Sequence, residues 1–466
     1  MDEAMIRGLG VGVALAFVAS GCAPDAPPES FERQARDLSS ASDAGPSDPE
    51  PGDPEPGEGA ADAGPGAPSE DGGAACRPLP NTDPSDGDVN LDLTVELQNI
   101  QGFGGINVPG WIPDLTPEQV DTAFGNGAGQ IGMSILRVRI PFDPTQFALE
   151  VPAAQRAIAL GAKVIASPWT PPPELKSSGD IVGGSLNVES YSAYADHLLS
   201  FRDFMAENGV PLYAISVQNE PDIQVSYESC DWTPQELADW IAEQGPRFGD
   251  TRLIAAESFN FNPLTTDPIL QHPVASSEVD IIGGHIYGRP PTDYPLARSL
   301  GKELWMTEHY TSSNISANAW PQALAVGKEI HDCMAANFSA YIWWYIRRAY
   351  GPITEDSLVS KRGYMMAQFS KFIRPGFVRV AATPPAAPDV FVTAYKGEGS
   401  AVVVAVNNST SPRDITLDAD GSCVDHFQRF TTSETKNVAA EGDVVLSAGR
   451  AAVTLEPQSV TTFVSP

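Results

Sequence analysis

Tyr213-Ala-Ile-Ser-Val-Gln-Asn219-Glu220-Pro221 and Glu303-Leu-Trp-Met-Thr307-Glu308-His309-Tyr310 each run from apolar residues into a glutamate. Each reads as one buried strand with a carboxylate at its C-terminal end. Roughly 90 residues separate the two glutamates, about the length of three βα units in a barrel of parallel strands. Working outward, apolar segments of the same character fall at 102–108, 135–140, 163–168, 214–219, 252–256, 280–287, 303–308 and 340–345. Helical patterns lie between them. Thr116-Pro-Glu-Gln and Thr233-Pro-Gln-Glu are capping boxes with proline at the first helical position. Residues 190–207 carry Tyr194, Leu198, Phe201 and Met205 on one face, and Gly209 follows as a stop. Strand and helix alternating eight times is the pattern of a (β/α)8 TIM barrel in the α/β class.

The flanking sequence has a different texture. After Arg374-Pro-Gly, the stretches at 389–395, 401–406, 413–417 and 453–455 read as short strands between turns. They predict a side antiparallel β-sandwich domain. Val89, Leu91, Leu93, Val95 and Leu97 alternate with polar residues, a period of two that predicts one more strand for it. The expected division is a signal peptide at 1–22, a disordered acidic Pro/Gly-rich linker at 23–86 and an N-terminal strand of the β domain at 87–99. The catalytic barrel then takes 100–375 and the remainder of the β domain 376–466.

The N-terminal run from Met5 to Phe17 has a short positive start and an apolar stretch too short to span a bilayer. Asp2 and Glu3 are unusual in such a start, which places the first translated residue at Met5 as an alternative. The stretch ends in Val18-Ala19-Ser20-Gly21-Cys22, which resembles a bacterial lipobox. The expectation is lipidation at Cys22 and an exported, envelope-anchored protein, with ordinary secretion as the alternative. Membrane contact is expected only through that anchor. From Ala23 to Cys76 the composition is Pro, Gly, Ala, Asp, Glu and Ser, which cannot bury enough apolar surface to offset the entropy of ordering.

The 466 residues carry a formal net charge of −32, about −11 of it between Ala23 and Cys76. Such a chain has no general electrostatic route to nucleic acid. The five cysteines form no CxxC, and the six histidines show no metal-ligand spacing along the sequence. No metal and no cofactor are expected. Cys76, Cys230, Cys333 and Cys423 leave room for up to two disulfides of unreadable pairing. A monomer is expected.

Two carboxylates gathered at the C-terminal face of a barrel are the equipment for hydrolysing a glycosidic bond. One must hold a proton near neutral pH through burial and its partner's charge; the other must stay ionised and needs donors. Arg137 and Tyr287 sit on strands that supply such donors. Asn219, beside Glu220, suits a sugar 2-OH. Trp169, Trp344 and Tyr345 are strand-end aromatics that offer flat faces to sugar C–H bonds, with core packing as the alternative. Trp343 has the opposite pleat and reads as core. Arg347 and Arg348 make a local cationic spot on an acidic protein. Arginine grips a carboxylate with two parallel hydrogen bonds, and the alternative for either is a structural ion pair.

Motifs throughout residues 88–466 resemble glycoside hydrolase family 30, and within it the bacterial glucuronoxylan endoxylanases. They are Gln101-Gly-Phe-Gly-Gly, Ser167-Pro-Trp, Gln218-Asn-Glu-Pro-Asp222 and Tyr227-Glu-Ser-Cys-Asp-Trp232. Further along come Gly284-His-Ile-Tyr-Gly, Trp305-Met-Thr-Glu-His-Tyr310, Trp343-Trp-Tyr-Ile-Arg-Arg-Ala-Tyr-Gly351, Lys361-Arg-Gly-Tyr and Ser459-Val-Thr-Thr-Phe-Val-Ser. Asn-Glu-Pro alone marks a broad clan; the Trp-Trp-Tyr-Ile-Arg-Arg run is far more specific. The resemblance implies retaining hydrolysis of β-1,4-xylosidic bonds, with Glu220 as acid/base and Glu308 as nucleophile. It also implies that Arg348, Tyr350, Tyr310 and Ser313 hold the glucuronic acid branch of glucuronoxylan, the expected partner. Ala349 stands where Ser is common, and Ser357 where Gly follows Asp356. The rivals are another activity of the same family, such as β-1,6-glucanase or a glucosidase on lipid-linked sugars, and a non-catalytic surface xylan-binding protein. The arginine with its tyrosines argues against the first, and the presence of both glutamates against the second.

Overall fold

The computed structural model describes residues 78–81 and 88–466. Strand β1 (Val89–Asn99) leads into a barrel of eight parallel strands. These are β2 (Gly102–Ile106), β3 (Ile135–Ile140), β4 (Lys163–Pro168), β5 (Ala214–Ser216), β6 (Arg252–Ser258), β7 (Val279–His285), β8 (Glu303–His309) and β9 (Phe338–Tyr345). They pair in chain order, and β2 closes the ring on β9. Both faces of these strands are covered, so they read as continuous apolar runs rather than alternating ones. Strand β5 is shorter than expected. Its ladder ends at Ser216 because the backbone then turns across the barrel mouth: the Asn219 N–H donates to the Pro168 carbonyl at 2.8 Å and the Glu220 N–H to the Glu257 carbonyl at 3.0 Å.

Period two along the strands sorts the barrel interior into layers. Ile135, Ile165, Ala214, Ile254, Ile281, Trp305 and Ala340 form one apolar cluster inside the ring. Two residues further along their strands stand Arg137, Ser167, Ser216, Gly283 and Thr307, all buried. The apolar layer is the floor of the site and the polar layer faces the substrate side. Outside the ring the helices pack as their faces predict. Both capping boxes form, Thr116 with Gln119 and Thr233 with Glu236. The helix Tyr191–Glu207 buries Tyr194, Leu198, Phe201 and Met205.

The second sheet has nine strands: β1 with β10 (Val378–Ala382), β11 (Val390–Gly397), β12 (Ser400–Asn407), β13 (Arg413–Asp418), β14 (His426–Thr432), β15 (Ala439–Val445), β16 (Arg450–Leu455) and β17 (Ser459–Val464). Their order is β15-β14-β17-β12-β11-β10-β1-β13-β16. The expected sandwich is one continuous sheet folded over, with Ile415, Val453 and Leu455 in the same core as Val403, Ala405 and Phe463. Strand β1 joins the two layers by pairing antiparallel with β10 and parallel with β13, so the domain is mostly rather than wholly antiparallel. Strand β12 serves two cores. Ala401, Val403 and Ala405 face the sheet's own interior, while Val402, Val404 and Val406 join the barrel core. Gly327, in the helix Gln322–Ala335, lets that helix seat on the sheet: a Cβ there would lie 2.9 Å from Val460 Cγ2.

Cys22 and Cys76, with nearly all of 1–22 and 23–86, lie outside the described residues. Within the expected linker, the Leu79 N–H donates to the Gly421 carbonyl at 2.8 Å and Asn81 Nδ2 to Asp418 Oδ1 at 3.2 Å, so 78–81 run along the β domain. Cys230 and Cys333 are buried free thiols, whereas Cys423 is disulfide-bonded. No helix of the described residues is long and apolar enough to cross a membrane.

The N-terminal end of the barrel is closed by polar side chains around Glu303. Its Oε1 accepts from Gln101 Nε2 at 2.9 Å and Arg252 Nη1 at 3.3 Å, and its Oε2 from Trp305 Nε1 at 2.8 Å. This cluster lies at the opposite end of β8 from Glu308. Glu303→Ala strips three donors of their acceptor and is expected to lower unfolding free energy by about 1–3 kcal/mol, with kcat/KM unchanged. Urea unfolding beside steady-state kinetics checks both halves of that statement.

Candidate active site

Arg137, from β3, is fully buried at the centre of the barrel mouth. Its Nη1 donates to Glu308 Oε2 at 2.6 Å, its Nη2 to Asn219 Oδ1 at 2.6 Å and its Nε to Ser167 Oγ at 3.1 Å. Nη2 also forms an ion pair with Glu257 Oε1 at 3.2 Å. One planar guanidinium thus ties together the ends of five strands. Asn219 commits its Oδ1 to that arginine, which leaves Nδ2 as the atom that can donate to a sugar hydroxyl.

Glu220 is held by its own backbone and by the turn after it. Its φ of 47° is in the left-handed region, unusual for a residue with a Cβ. Asp222 anchors the turn by accepting from Ser258 Oγ at 2.6 Å, the Phe259 N–H at 3.0 Å and Thr265 Oγ1 at 3.2 Å. The Glu220 carboxyl is buried. Oε2 accepts from the Tyr227 hydroxyl at 2.9 Å, and Oε1 lies 2.9 Å from His285 Nδ1. Burial pushes this carboxyl up to about 8, with the charges of Asp222 and Glu257 acting the same way and the Tyr227 hydroxyl and Arg137 acting against them. His285 is held below its ordinary value by burial, so its imidazole is neutral and adds no full charge.

Glu308 has different surroundings. Oε2 takes the Arg137 hydrogen bond, and Oε1 accepts from the Tyr287 hydroxyl at 3.0 Å. Burial raises this carboxyl too, and Glu220 adds to the rise, while the charge and hydrogen bond of Arg137 oppose it. A permanent cation therefore touches Glu308 and not Glu220. An oxygen of Glu220, an oxygen of Glu308 and a ring nitrogen of His285 lie within 4.8 Å of one another. Carboxyl pairs that admit a water between them stand about 6.5–9.5 Å apart, and pairs that act by double displacement about 5–5.5 Å. By spacing alone these three side chains could also hold a metal ion. Glu220 and His285 already hydrogen-bond each other, however, and Glu308 Oε2 already accepts from the Arg137 cation.

Aromatic rings extend from the pair in two directions. Trp169 lies 4.8 Å from the Arg137 guanidinium, 5.2 Å edge-on from Trp111 and 5.9 Å from Trp344. On the other side Tyr287, Tyr310 and Tyr350 succeed one another at 5.7 and 5.2 Å. Trp343 is wholly buried, as its pleat predicts. Arg348 lies 4.9 Å from the Tyr345 ring, whose centroid is 4.5 Å from that of Trp344 with the two rings tilted at 49°. Its Nη1 is 3.6 Å from Glu355 Oε1. Arg347 instead donates to the Pro113 carbonyl at 2.9 Å, a structural tie. Ser313 stands exposed on the loop after β8, with no hydrogen bond to Arg348 among the described residues.

Several residues of the site were not singled out from the sequence. Glu257 follows Leu253-Ile-Ala-Ala256 just as Glu220 and Glu308 follow their strands, so its signal was present. His285 and Tyr227 sit inside motifs quoted above without a role. Trp111 and Glu355 come from long loops whose course no local pattern reveals.

The model of the glycosyl hydrolase family 30 TIM-barrel domain matches residues 139–304, which include Glu220 and stop short of Glu308. The glucuronoxylanase XynC of Bacillus subtilis is 43% identical over 388 residues, covering 81% of this chain and 91% of that one. Among solved structures, the glycoside hydrolase family 30 subfamily 8 xylanase Xyn30A of Clostridium acetobutylicum aligns with a TM-score of 0.76 at 37% identity, over 82% of this chain and 100% of that one. The family 30 endoxylanase of Clostridium papyrosolvens C71 aligns with a TM-score of 0.74 at 34% identity, over 81% and 99%. With a closed parallel barrel, a β domain built from both ends of the chain and this extent of identity, the protein belongs to glycoside hydrolase family 30.

Proposed function

We propose that this chain is an endo-acting xylanase that cleaves β-1,4-xylosidic bonds of glucuronoxylan with retention of configuration, directed by the glucuronic acid branch. The observation that carries this reading is the pair Glu220 and Glu308, within 4.8 Å and unequally surrounded. Glu220 is buried without a cation in contact and keeps its proton. Glu308 is hydrogen-bonded by Arg137 and Tyr287 and keeps its charge.

In the first step a Glu308 carboxylate oxygen attacks the anomeric carbon. The bond from that carbon to the leaving sugar's oxygen breaks, and the Glu220 proton goes to the departing oxygen. In the second step Glu220, now ionised, takes a proton from water. The water oxygen bonds to the anomeric carbon, the ester to Glu308 breaks, and both carboxyls return to their starting states. Asn219 Nδ2 is placed to hold the 2-OH of the sugar being transferred, a contact that strengthens in the transition state. Trp169 and Trp344, 5.9 Å apart, are the proposed aromatic contacts for the chain on one side of the pair.

The first-formed product is expected to keep the β configuration, read by NMR of the nascent anomer. Glu308→Ala is expected to abolish turnover. In the wild type, kcat/KM falls at the alkaline end as pH rises through the Glu220 value near 8, because the acid must be protonated. It falls at the acid end as Glu308 becomes protonated. An inverted anomer would sink the mechanism.

Arg348 is the proposed partner of the uronate, with Tyr310, Tyr350 and Ser313 as hydroxyl donors nearby. Its ion pair with Glu355 is long, and Glu355 is half exposed, so that contact contributes little. A bidentate charge-assisted grip on the branch carboxylate contributes roughly 1.5–3 kcal/mol. Arg348→Ala is therefore expected to cut kcat/KM on glucuronoxylan about ten- to a hundredfold and to leave slow turnover of linear xylooligosaccharides nearly unchanged. Equal loss on both substrates would make Arg348 structural.

The lipobox-like Ser20-Gly21-Cys22 supports an exported protein held to the cell envelope by lipid on Cys22, with the acidic stretch after it as a tether. Cys22→Ala is expected to move the protein from the membrane fraction to the soluble exported fraction. A wild-type protein already soluble, with another N-terminus by mass spectrometry, would refute the anchor.

A further inference from the structure

We propose that Glu257 is a positioning residue for the nucleophile: it shares the Arg137 guanidinium with Glu308 and keeps that cation balanced while Glu308 is esterified. This rests on the retaining reading above. Glu257 is wholly buried at the end of β6 and reaches across the barrel to β3, where its Oε1 lies 3.2 Å from Arg137 Nη2. The backbone is shaped to put it there. Its φ is 48°, left-handed like that of Glu220, and its carbonyl accepts the Glu220 N–H at 3.0 Å. The neighbouring strand makes room: a Cβ on Gly283 would lie 2.6 Å from Ile254 Cγ2, 3.1 Å from Thr307 Cγ2 and 3.3 Å from Glu257 Cγ. A buried carboxylate is costly unless paired, and the first chemical step does not consume this one.

Its role comes from conservation of charge. Before reaction the site holds one cation, Arg137, two carboxylates, Glu257 and Glu308, and the protonated Glu220. In the glycosyl-enzyme Glu308 is a neutral ester and the negative charge has moved to Glu220. Arg137 hydrogen-bonds Glu308 and Asn219, not Glu220. Without Glu257 the buried guanidinium would lose its carboxylate in ion-pair contact at that moment, and the intermediate would be destabilised. With Glu257 the cation stays balanced throughout. In the free enzyme burial works to raise Glu257, but the Arg137 guanidinium beside it more than offsets that and holds it below its ordinary value, so it is ionised throughout the working range.

The ionisable groups around Glu257 are Arg137 from β3, Glu220 and Asp222 from the turn after β5, His285 from β7 and Glu308 from β8. Removing its charge makes it easier to ionise both Glu308 and Glu220, the latter being raised in part by Glu257. Both limbs of the kcat/KM profile therefore move to lower pH in Glu257→Gln. The optimum value falls about ten- to a hundredfold through loss of the preorganised charge around the intermediate. The test is the pH profile of Glu257→Gln and Glu257→Asp on a uronate-branched xylooligosaccharide, with thermal unfolding of each variant. Glu257→Asp draws the carboxylate back from Arg137 and is expected to move the acid limb the same way by less; it carries the test if the glutamine variant does not fold. An acid limb at the wild-type position in either folded variant overturns the proposal, whatever the loss of rate, since a structural support would slow the enzyme without moving that limb. Glu308→Ala separates the two readings. If it abolishes turnover while the Glu257 limbs stay put, Glu257 alone is misassigned. If Glu308→Ala still turns over with retention, the double displacement itself is wrong.

Discussion

A guanidinium shut away from water at the barrel mouth is the constraint around which this site is built. Placing a cation there costs several kcal/mol unless its donors are met and its charge is paired. Arg137 meets the demand with Ser167, Asn219 and Glu257 from the three strands that follow its own and with Glu308 from β8 across the barrel. Burial works to lower its affinity for its proton, and the charges of Glu257 and Glu308 more than offset that, so the cation is permanent. Arginine rather than lysine suits the position because a rigid fork can hold three acceptors in fixed directions at once. If any one of them moved, the others would have to follow.

The unequal treatment of the two glutamates follows from that arrangement. Both are buried, and burial alone would raise both. Glu308 is in direct contact with the cation; Glu220 instead meets a neutral imidazole and a phenol. The difference between a proton donor and an anion is thus made by one hydrogen bond at 2.6 Å, not by the carboxyls themselves. Tyr227 has a moderating part. Its hydroxyl donates to Glu220 Oε2 and so opposes the upward pull of burial, which keeps the proton transferable rather than locked in place.

The barrel was legible in the sequence because parallel strands covered on both faces are apolar runs of characteristic length, and a carboxylate closing such a run stands out. Glu220, Glu308, Arg137 and Tyr287 could be placed on that ground. Glu257 has the same signature and was passed over because only two carboxylates are needed for the chemistry; the need for a third appears only once Arg137 is seen to be buried. The β domain was half legible. Strands β11, β12, β13 and β16 are apolar or alternate. Strand β17 is Ser-Val-Thr-Thr-Phe-Val; both threonines are buried, Thr461 on the sheet's own interior face and Thr462 against the barrel, where its Oγ1 donates to the Gln368 carbonyl at 2.7 Å. Strand β15, at the sheet edge, is Ala-Ala-Glu-Gly-Asp-Val-Val with little burial, so no period marks it. Strands β10 and β14 were passed over as well. The disulfide at Cys423 depends on which cysteines the fold brings together, which spacing cannot show.

The β domain is more than an appendage, because it reaches Glu308 through packed contacts. The helix Gln322–Ala335 lies between the two. On one side Gly327 brings it against Val460 of β17, where any side chain would force it away. On the other, Glu329 accepts from the Tyr341 hydroxyl at 2.6 Å and meets His309 Nδ1 at 2.9 Å. His309 is the residue after Glu308, and its ring lies 5.0 Å from that of Tyr287, whose hydroxyl donates to Glu308. The end of β8 is therefore clamped from outside the barrel by a helix that is itself seated on the sheet. A barrel built alone would lack the Val402, Val404, Val406 and Val460 face that packs into its core and would leave this helix unsupported on that side. That gives a physical reason for strand β1, at the start of the described fold, to pair with a strand near the far end of the chain, Leu91 lying opposite Ala382: without the complete sheet, the helix that steadies the end of β8 at Glu308 has nothing to rest on.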